Sequence, residues 1–157
     1  MKTYKIITDE RILRNPCKPC ETVKEGNDIG HILKVMLDKS TDGVGLAANQ
    51  VGIQKSVCLI NVKEPIVLVN PEIVGKSGKF LYKEGCLSFP GEYIITERYK
   101  NIVVKTDNHK NLITFSSETK EDMLECACVQ HEIDHLNGST MFYRVPPLAS
   151  RKSADLL

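Results

Sequence analysis

An α+β fold is predicted by the order in which two hydrophobic periods occur along the chain. Apolar residues first recur at helical spacing between Ile29 and Leu37. Short β-branched runs punctuated by proline and glycine then occupy residues 56–116, and a second helical stretch follows to about Asn137. Strands grouped in the middle, with helices set apart from them, indicate segregated α+β architecture rather than alternating βαβ units. With 157 residues, 41% of them hydrophobic, the chain is expected to form a single domain, residues 1–157, around a core of its own.

The opening segment to Glu25 is expected to be irregular, because Asn15-Pro16 and Lys18-Pro19 disfavour helix. It contains Cys17-Lys18-Pro19-Cys20. A redox C-x-x-C should end a strand and open a helix that activates its first thiol. Proline punctuation and the polar stretch 21–28 do not offer that setting, so Cys17 and Cys20 read as loop cysteines with no role assigned. Asp28 can cap a helix from about Ile29 to Lys39, with Ile29, Ile32, Leu33, Met36 and Leu37 on one face. His31 falls off that stripe and reads as a solvated side chain.

Asp42 to Gly52 holds three glycines and two alanines, which let the backbone pass close to something else, and Gln50 brings a neutral amide donor. No Gly-Lys-Ser/Thr follows, so this is not a phosphate loop; a tight-packing loop before a strand is the structural alternative. Residues 56–62 and 66–70 read as strands, with Cys58 a buried apolar residue of the first. Ile73 to Tyr82, broken by Gly75 and Gly78, reads as a hairpin. Glu84-Gly85-Cys86-Leu87-Ser88-Phe89-Pro90-Gly91 reads as an exposed turn that could present a thiolate. Tyr93 to Thr106 and Leu112 to Ser116 are further strands joined by a turn at Asp107–Asn111. Ser117, with Lys120 and Glu121, marks the start of the last helix, and Gly138 its stop.

That last helix carries His131-Glu132-Ile133-Asp134-His135. Histidines four residues apart lie on one helical face, where they can share a divalent metal while the glutamate reaches its bound water. A catalytic site of this kind has three protein ligands and one open position. The third ligand of the two common peptidase patterns is missing: Met141 stands where a third histidine would, and no glutamate follows Glu132. The ligand must come from upstream, with Cys86 the leading candidate and Cys17, Cys20, His109, Cys126 and Cys128 the others.

Several function classes are disfavoured by the whole chain. A net charge of +1 gives no case for nucleic acid or an anionic membrane as main partner. The N-terminus lacks an apolar run of signal-peptide length, and no segment approaches the roughly 20 residues needed to span a bilayer. Reduced thiols or metal ligands are therefore the expected states of the six cysteines.

Three separated signatures stand together: Gly43-Val44-Gly45-Leu46-Ala47-Ala48-Asn49-Gln50, Glu84-Gly85-Cys86-Leu87-Ser88 and Gln130-His131-Glu132-Ile133-Asp134-His135. In this order they resemble the peptide deformylase family, which removes the formyl group from the initiator methionine of new polypeptides. The resemblance covers Ile29 to Gly138 and, more loosely, the N-terminal segment. It implies antiparallel or mixed sheets packed around a central helix that carries the histidines. It also implies Cys86, His131 and His135 as ligands of one divalent metal, Fe²⁺ for activity with Zn²⁺, Ni²⁺ or Co²⁺ tolerated. Metal-bound water would attack the formyl carbon with Glu132 as general base and acid, and Gln50 with the Leu87 N–H as oxyanion donors, releasing formate.

By the same resemblance, a formyl-methionyl peptide would lie extended between Val44-Gly45 and the Gly91 region, its methionine in a pocket walled by Val44, Leu124, Ala127, Cys128 and the His131 ring. Ala127 is smaller than the branched residue of some relatives, which would widen the pocket. Glu84 and Asp134 are candidates to support the ligands, or members of an ordinary salt bridge. Where many relatives have an arginine after the Cys86 stretch, this chain reads Gly91-Glu92-Tyr93. Bacterial forms commonly continue into a long C-terminal helix; here a proline-interrupted tail suggests a short, phage-type form acting in a bacterial or phage-infected cytosol, with an organelle as the alternative. Ribosome docking is not expected of such a form. A metallopeptidase and a non-catalytic metal-binding module are the competing readings.

Overall fold

Residues 3–147 are described by a computed structural model, and their helices and antiparallel sheets are of the α+β class the sequence predicts. The first long helix, α2 (Val23–Asp38), follows a single turn, α1 (Glu10–Leu13). It starts at Val23 rather than Ile29, because the Thr22 hydroxyl accepts from the Glu25 N–H at 3.0 Å while Glu25 accepts from the Glu21 N–H at 3.1 Å. This near-reciprocal cap is the role expected of Asp28, which pairs instead with Lys24 on the exposed face. The opening segment is also less irregular than expected. Cys17 donates its N–H to the Leu136 carbonyl at 2.8 Å, and burial pushes the thiols of both Cys17 and Cys20 up to about 11, so neither is a reactive thiolate.

Strands β1 (Gly45–Ala47), β2 (Val57–Ile60) and β3 (Ile66–Val69) form one antiparallel sheet in the order β1-β2-β3. Its alternation sorts the core into two layers. Leu46, Val57, Leu59 and Val69 pack with α2, while Ala47, Cys58, Ile60 and Leu68 pack with the last helix. Two helical glycines let α2 approach β3 closely: a Cβ on Gly26 would overlap the Val69 side chain, and one on Gly30 would stand 2.7 Å from Val67 Cγ2.

The expected hairpin at Ile73–Tyr82 does not form. Strands β4 (Glu72–Ser77) and β5 (Phe80–Cys86) follow one another without pairing; β4 pairs with β7 (Asn101–Lys105) and β5 with β6 (Phe89–Arg98). Ser77 faces Asn101 and Phe80 faces Arg98, and the Lys100 N–H reaches the Gly78 carbonyl at 3.3 Å, so the register carries through the break. The glycines thus bend a long antiparallel arm instead of reversing it, and the true reversal is the tight turn at Leu87-Ser88. β8 (Ile113–Phe115) completes the β4-β7-β8 sheet, with the expected turn before it.

The last helix, α3 (Lys120–Leu136), is capped by Thr119, whose hydroxyl accepts from the Asp122 N–H, rather than by Ser117, which donates to the Lys100 carbonyl. Every residue from Cys126 to Leu136 is buried, which makes this the central helix. Gly138 stops it at φ +78°, and a Cβ there would collide with the Arg14 carbonyl. Among the described residues no helix is long and apolar enough to cross a membrane. The C-terminal expectation concerns residues 148–157, which lie outside the described residues.

Candidate metal centre

His131 and His135 project from consecutive turns of α3, their ring centroids 5.0 Å apart. Cys86 reaches them from the end of β5, where a bulge between Gly85 and Cys86 re-aims the strand. Its Sγ lies 3.3 Å from His135 Nε2, and the donor atoms of Cys86, His131 and His135 all fall within 4.8 Å of one another. Among the described residues, this is the cluster of three such donors that could hold a metal. The other candidates for third donor are elsewhere: His109 bonds the Thr106 hydroxyl in its turn, and Cys126 faces the Tyr99 carbonyl.

The His131 ring is oriented by a buried partner, whereas Nδ1 of the buried His135 ring has no hydrogen-bond partner. Glu84 Oε1 lies 2.8 Å from His131 Nδ1, which leaves Nε2 for the cluster. The Glu84 carboxylate is itself held by the Thr96 hydroxyl and by Nε and Nη2 of Arg98, whose Nη1 donates to Asp134 at 2.6 Å. Burial alone would raise the Glu84 pKa, but the bonds from Arg98 and His131 outweigh it and bring it down to about 2. On the second histidine, burial and the neighbouring His131 hold the pKa well below the ordinary imidazole value. The His135 carbonyl accepts from Asn49 Nδ2 at 2.6 Å, tying α3 to the turn Ala48–Val51.

Gln50 sits in that same turn. The Ala47 N–H donates to its Oε1 at 2.9 Å, so its amide nitrogen faces Ser88 Oγ at 3.1 Å and Cys86 Sγ at 3.5 Å. Glu132 is buried beside the cluster, with Oε1 lacking a hydrogen-bond partner. Burial is the main cause that lifts its pKa to about 7; His131 opposes the rise and Glu84 adds to it. A carboxyl poised there can both take and return a proton near neutrality.

These groups face a cavity of about 450 Å³. Val44, Gly45, Leu87 and Gly91 line it together with the apolar Leu124, Ala127 and Cys128. All the residues expected to wall a pocket are therefore brought together. A Cβ on Gly45 would meet Cys128 Sγ at 2.5 Å, so the glycine is what lets β1 pass this close to α3. Tyr93, 60% exposed and near Lys83, lines the cavity in the Gly91-Glu92-Tyr93 stretch that replaces the arginine region of the resemblance.

Sequence reasoning missed Arg98, Thr96 and Asn49. Thr96 and Arg98 alternate on the inward face of β6, but no local pattern announces a buried arginine in a strand. The donor chemistry, one thiol and two imidazoles, suits a divalent transition metal such as Fe²⁺ or Zn²⁺, and the unpartnered Glu132 oxygen suits a polar guest at its side.

The sequence model of the family described as Polypeptide deformylase matches residues 3–151. The peptide deformylase of Hydrogenovibrio crunogenus is 39% identical over 133 residues, spanning 80% of this chain and 75% of that protein. That of Aquifex aeolicus is 36% identical over 152 residues, spanning 89% and 85%. The crystal structure of the peptide deformylase from Thermotoga maritima superposes with a TM-score of 0.77 at 33% identity, covering 94% of this chain and all of the other.

Proposed function

We infer that this chain, which belongs to the polypeptide deformylase family, hydrolyses the formyl group of N-formyl-methionyl peptides with the help of one divalent metal held by Cys86, His131 and His135. The observation that carries this reading is the convergence of those three donors beside Glu132, whose Oε1 has no hydrogen-bond partner, at the edge of an apolar cavity. A dication held there would supply Lewis acidity, polarising a carbonyl and lowering the pKa of water toward neutrality. Fe²⁺ is the metal we assign, with Zn²⁺, Ni²⁺ or Co²⁺ as substitutes.

The residues of the chain do the rest. Glu132 takes a proton from the attacking water and returns it to the departing amine, so that water and the formamide become formate and a free N-terminus. Gln50 Nε2 and the Leu87 N–H donate to the oxygen that gains negative charge on the formyl carbon; losing one such donor typically costs about 2.7–4 kcal/mol of barrier. The peptide lies extended between Val44-Gly45 and Gly91, adding a strand to the cavity wall. Its methionine enters the space beside Leu124, Ala127 and Cys128, which the small Ala127 side chain keeps wide. The substrate is the nascent chain in the cytosol, without direct contact to nucleic acid, membrane or a ribosomal dock.

Protein prepared anaerobically with Fe²⁺ or Ni²⁺ is expected to release formate from formyl-Met-Ala-Ser and to leave Met-Ala-Ser intact. Stoichiometric metal without formate release would overturn the catalytic reading. Cleavage of the unformylated peptide would favour a peptidase.

A further inference from the structure

We propose that Arg144 is a positioning residue for the metal site, holding the outer end of a buried chain of alternating charges, Arg144–Asp134–Arg98–Glu84, whose inner end orients His131. This rests on the metal reading given above. Four contacts make the chain continuous. Arg144 grips Asp134 with both arms of its guanidinium, Nη2 to Oδ1 at 2.7 Å and Nε to Oδ2 at 3.0 Å. Asp134 Oδ2 also accepts from Arg98 Nη1 at 2.6 Å, Arg98 forks onto Glu84, and Glu84 meets His131 Nδ1 at 2.8 Å.

Charge counting shows why the outer member matters. Arg98 is 2% exposed and serves two carboxylates, Glu84 and Asp134, both nearly inaccessible. With Arg144 present, two cations balance two anions. Without it, one guanidinium is shared between two desolvated carboxylates, and Asp134 loses its donor to Oδ1. A buried charge lacking its partner is strongly disfavoured, so Asp134 must draw harder on Arg98 or turn toward water. Either response loosens the fork that fixes Glu84, and with it the imidazole.

Arg144 is placed independently of α3. It ends the short turn Met141–Arg144, whose Met141 is buried and whose Phe142 packs edge-on against Phe89 of β6, ring centroids 4.9 Å apart. The turn is thus pinned to the strand that also carries Arg98, and its last residue reaches back to α3. The Arg144 side chain is 45% exposed. Because its partner Asp134 is only 9% exposed, removing Arg144 also lowers stability, so an effect on the metal is read at a temperature where each variant remains folded.

The test is the rate at which Ni²⁺-loaded protein gives up its metal to a chelator, well below the melting temperature measured for each variant. Arg144→Ala should lose Ni²⁺ about tenfold faster than the parent, the lower end of the roughly 10–100-fold typical when a partner behind a metal ligand is changed. Arg144→Lys should recover only part of that, since an ammonium restores the charge and not the fork. With formyl-Met-Ala-Ser, kcat should fall and KM stay, because the cavity is untouched. Lys79→Ala, which removes another exposed cation lining the same groove, should behave as the parent. In an Asp134→Asn background, Arg144→Ala should add nothing. The proposal is overturned if Arg144→Ala holds Ni²⁺ as long as Lys79→Ala does, or if its effect is undiminished on top of Asp134→Asn. Should the parent itself bind no stoichiometric Ni²⁺, the metal reading fails first and this inference falls with it.

Discussion

A Cβ on Gly45 would stand 2.7 Å from Oε2 of Glu132, closer than side-chain carbons sit to any atom they do not displace. Gly45→Ala therefore pushes the carboxylate, or Cys128, out of place. Overpacking of this kind costs roughly 1–3 kcal/mol of stability. The effect on chemistry should be larger in proportion, since misplacement by about 1 Å can cost on the order of 100-fold in rate. Formate-release kinetics alongside thermal melts would check this; near-parent kcat/KM would show that Glu132 does not need the space.

Glu132 and Cys86 should separate on substitution. Glu132→Gln keeps the donor cluster intact and removes the proton carrier, so metal content by elemental analysis stays stoichiometric while activity falls about 10²–10⁴-fold. Cys86→Ala removes one of the three donors, and metal is lost on gel filtration. A Cys86→Ala protein that held its metal like the parent would place the third ligand elsewhere.

Arg98 is the least exposed member of the charged chain behind His131, at 2%. Arg98→Ala leaves Glu84 without a guanidinium and Asp134 with Arg144 alone, and removing one partner of a buried pair costs roughly 3–5 kcal/mol. Urea denaturation should show the loss as a lower midpoint with an unchanged slope.

The helical glycines facing β3 should respond unequally to alanine. Alanine gains about 1 kcal/mol in helix propensity over glycine. At Gly26 the new Cβ overlaps Val69, which is fully buried and cannot move aside, so overpacking of roughly 1–3 kcal/mol should win and the protein should melt lower. At Gly30 the new Cβ meets both methyls of Val67, at 2.7 and 2.8 Å, and no rotation of a branched side chain clears it; but Val67 is half-buried and can shift outward, so the loss should be smaller than at Gly26. Equal melting shifts for the two variants would argue against tight α2–β3 packing as the reason for Gly26.

The sequence alone determined what depends on neighbours a few residues away. The pitch of a helix sets His131 and His135 on one face wherever α3 lies, and Gly138 stops it at a left-handed turn. The short β-branched runs form β2 and β3, and the missing downstream ligand directs attention to Cys86. The early start of α2 was also legible, in Thr22 and Glu25, although Asp28 offered a competing cap. What only the tertiary structure decided was which distant segments meet. β4 looks like half of a local hairpin, yet its partner is β7, because strand pairing is chosen by register over a long arm and not by the nearest glycine. The same arm brings Arg98 opposite Phe80 and inward onto Glu84, and the turn after α3 returns Arg144 to Asp134. A buried arginine is stable only where carboxylates converge on it from several elements, and that convergence exists in no local stretch of the chain.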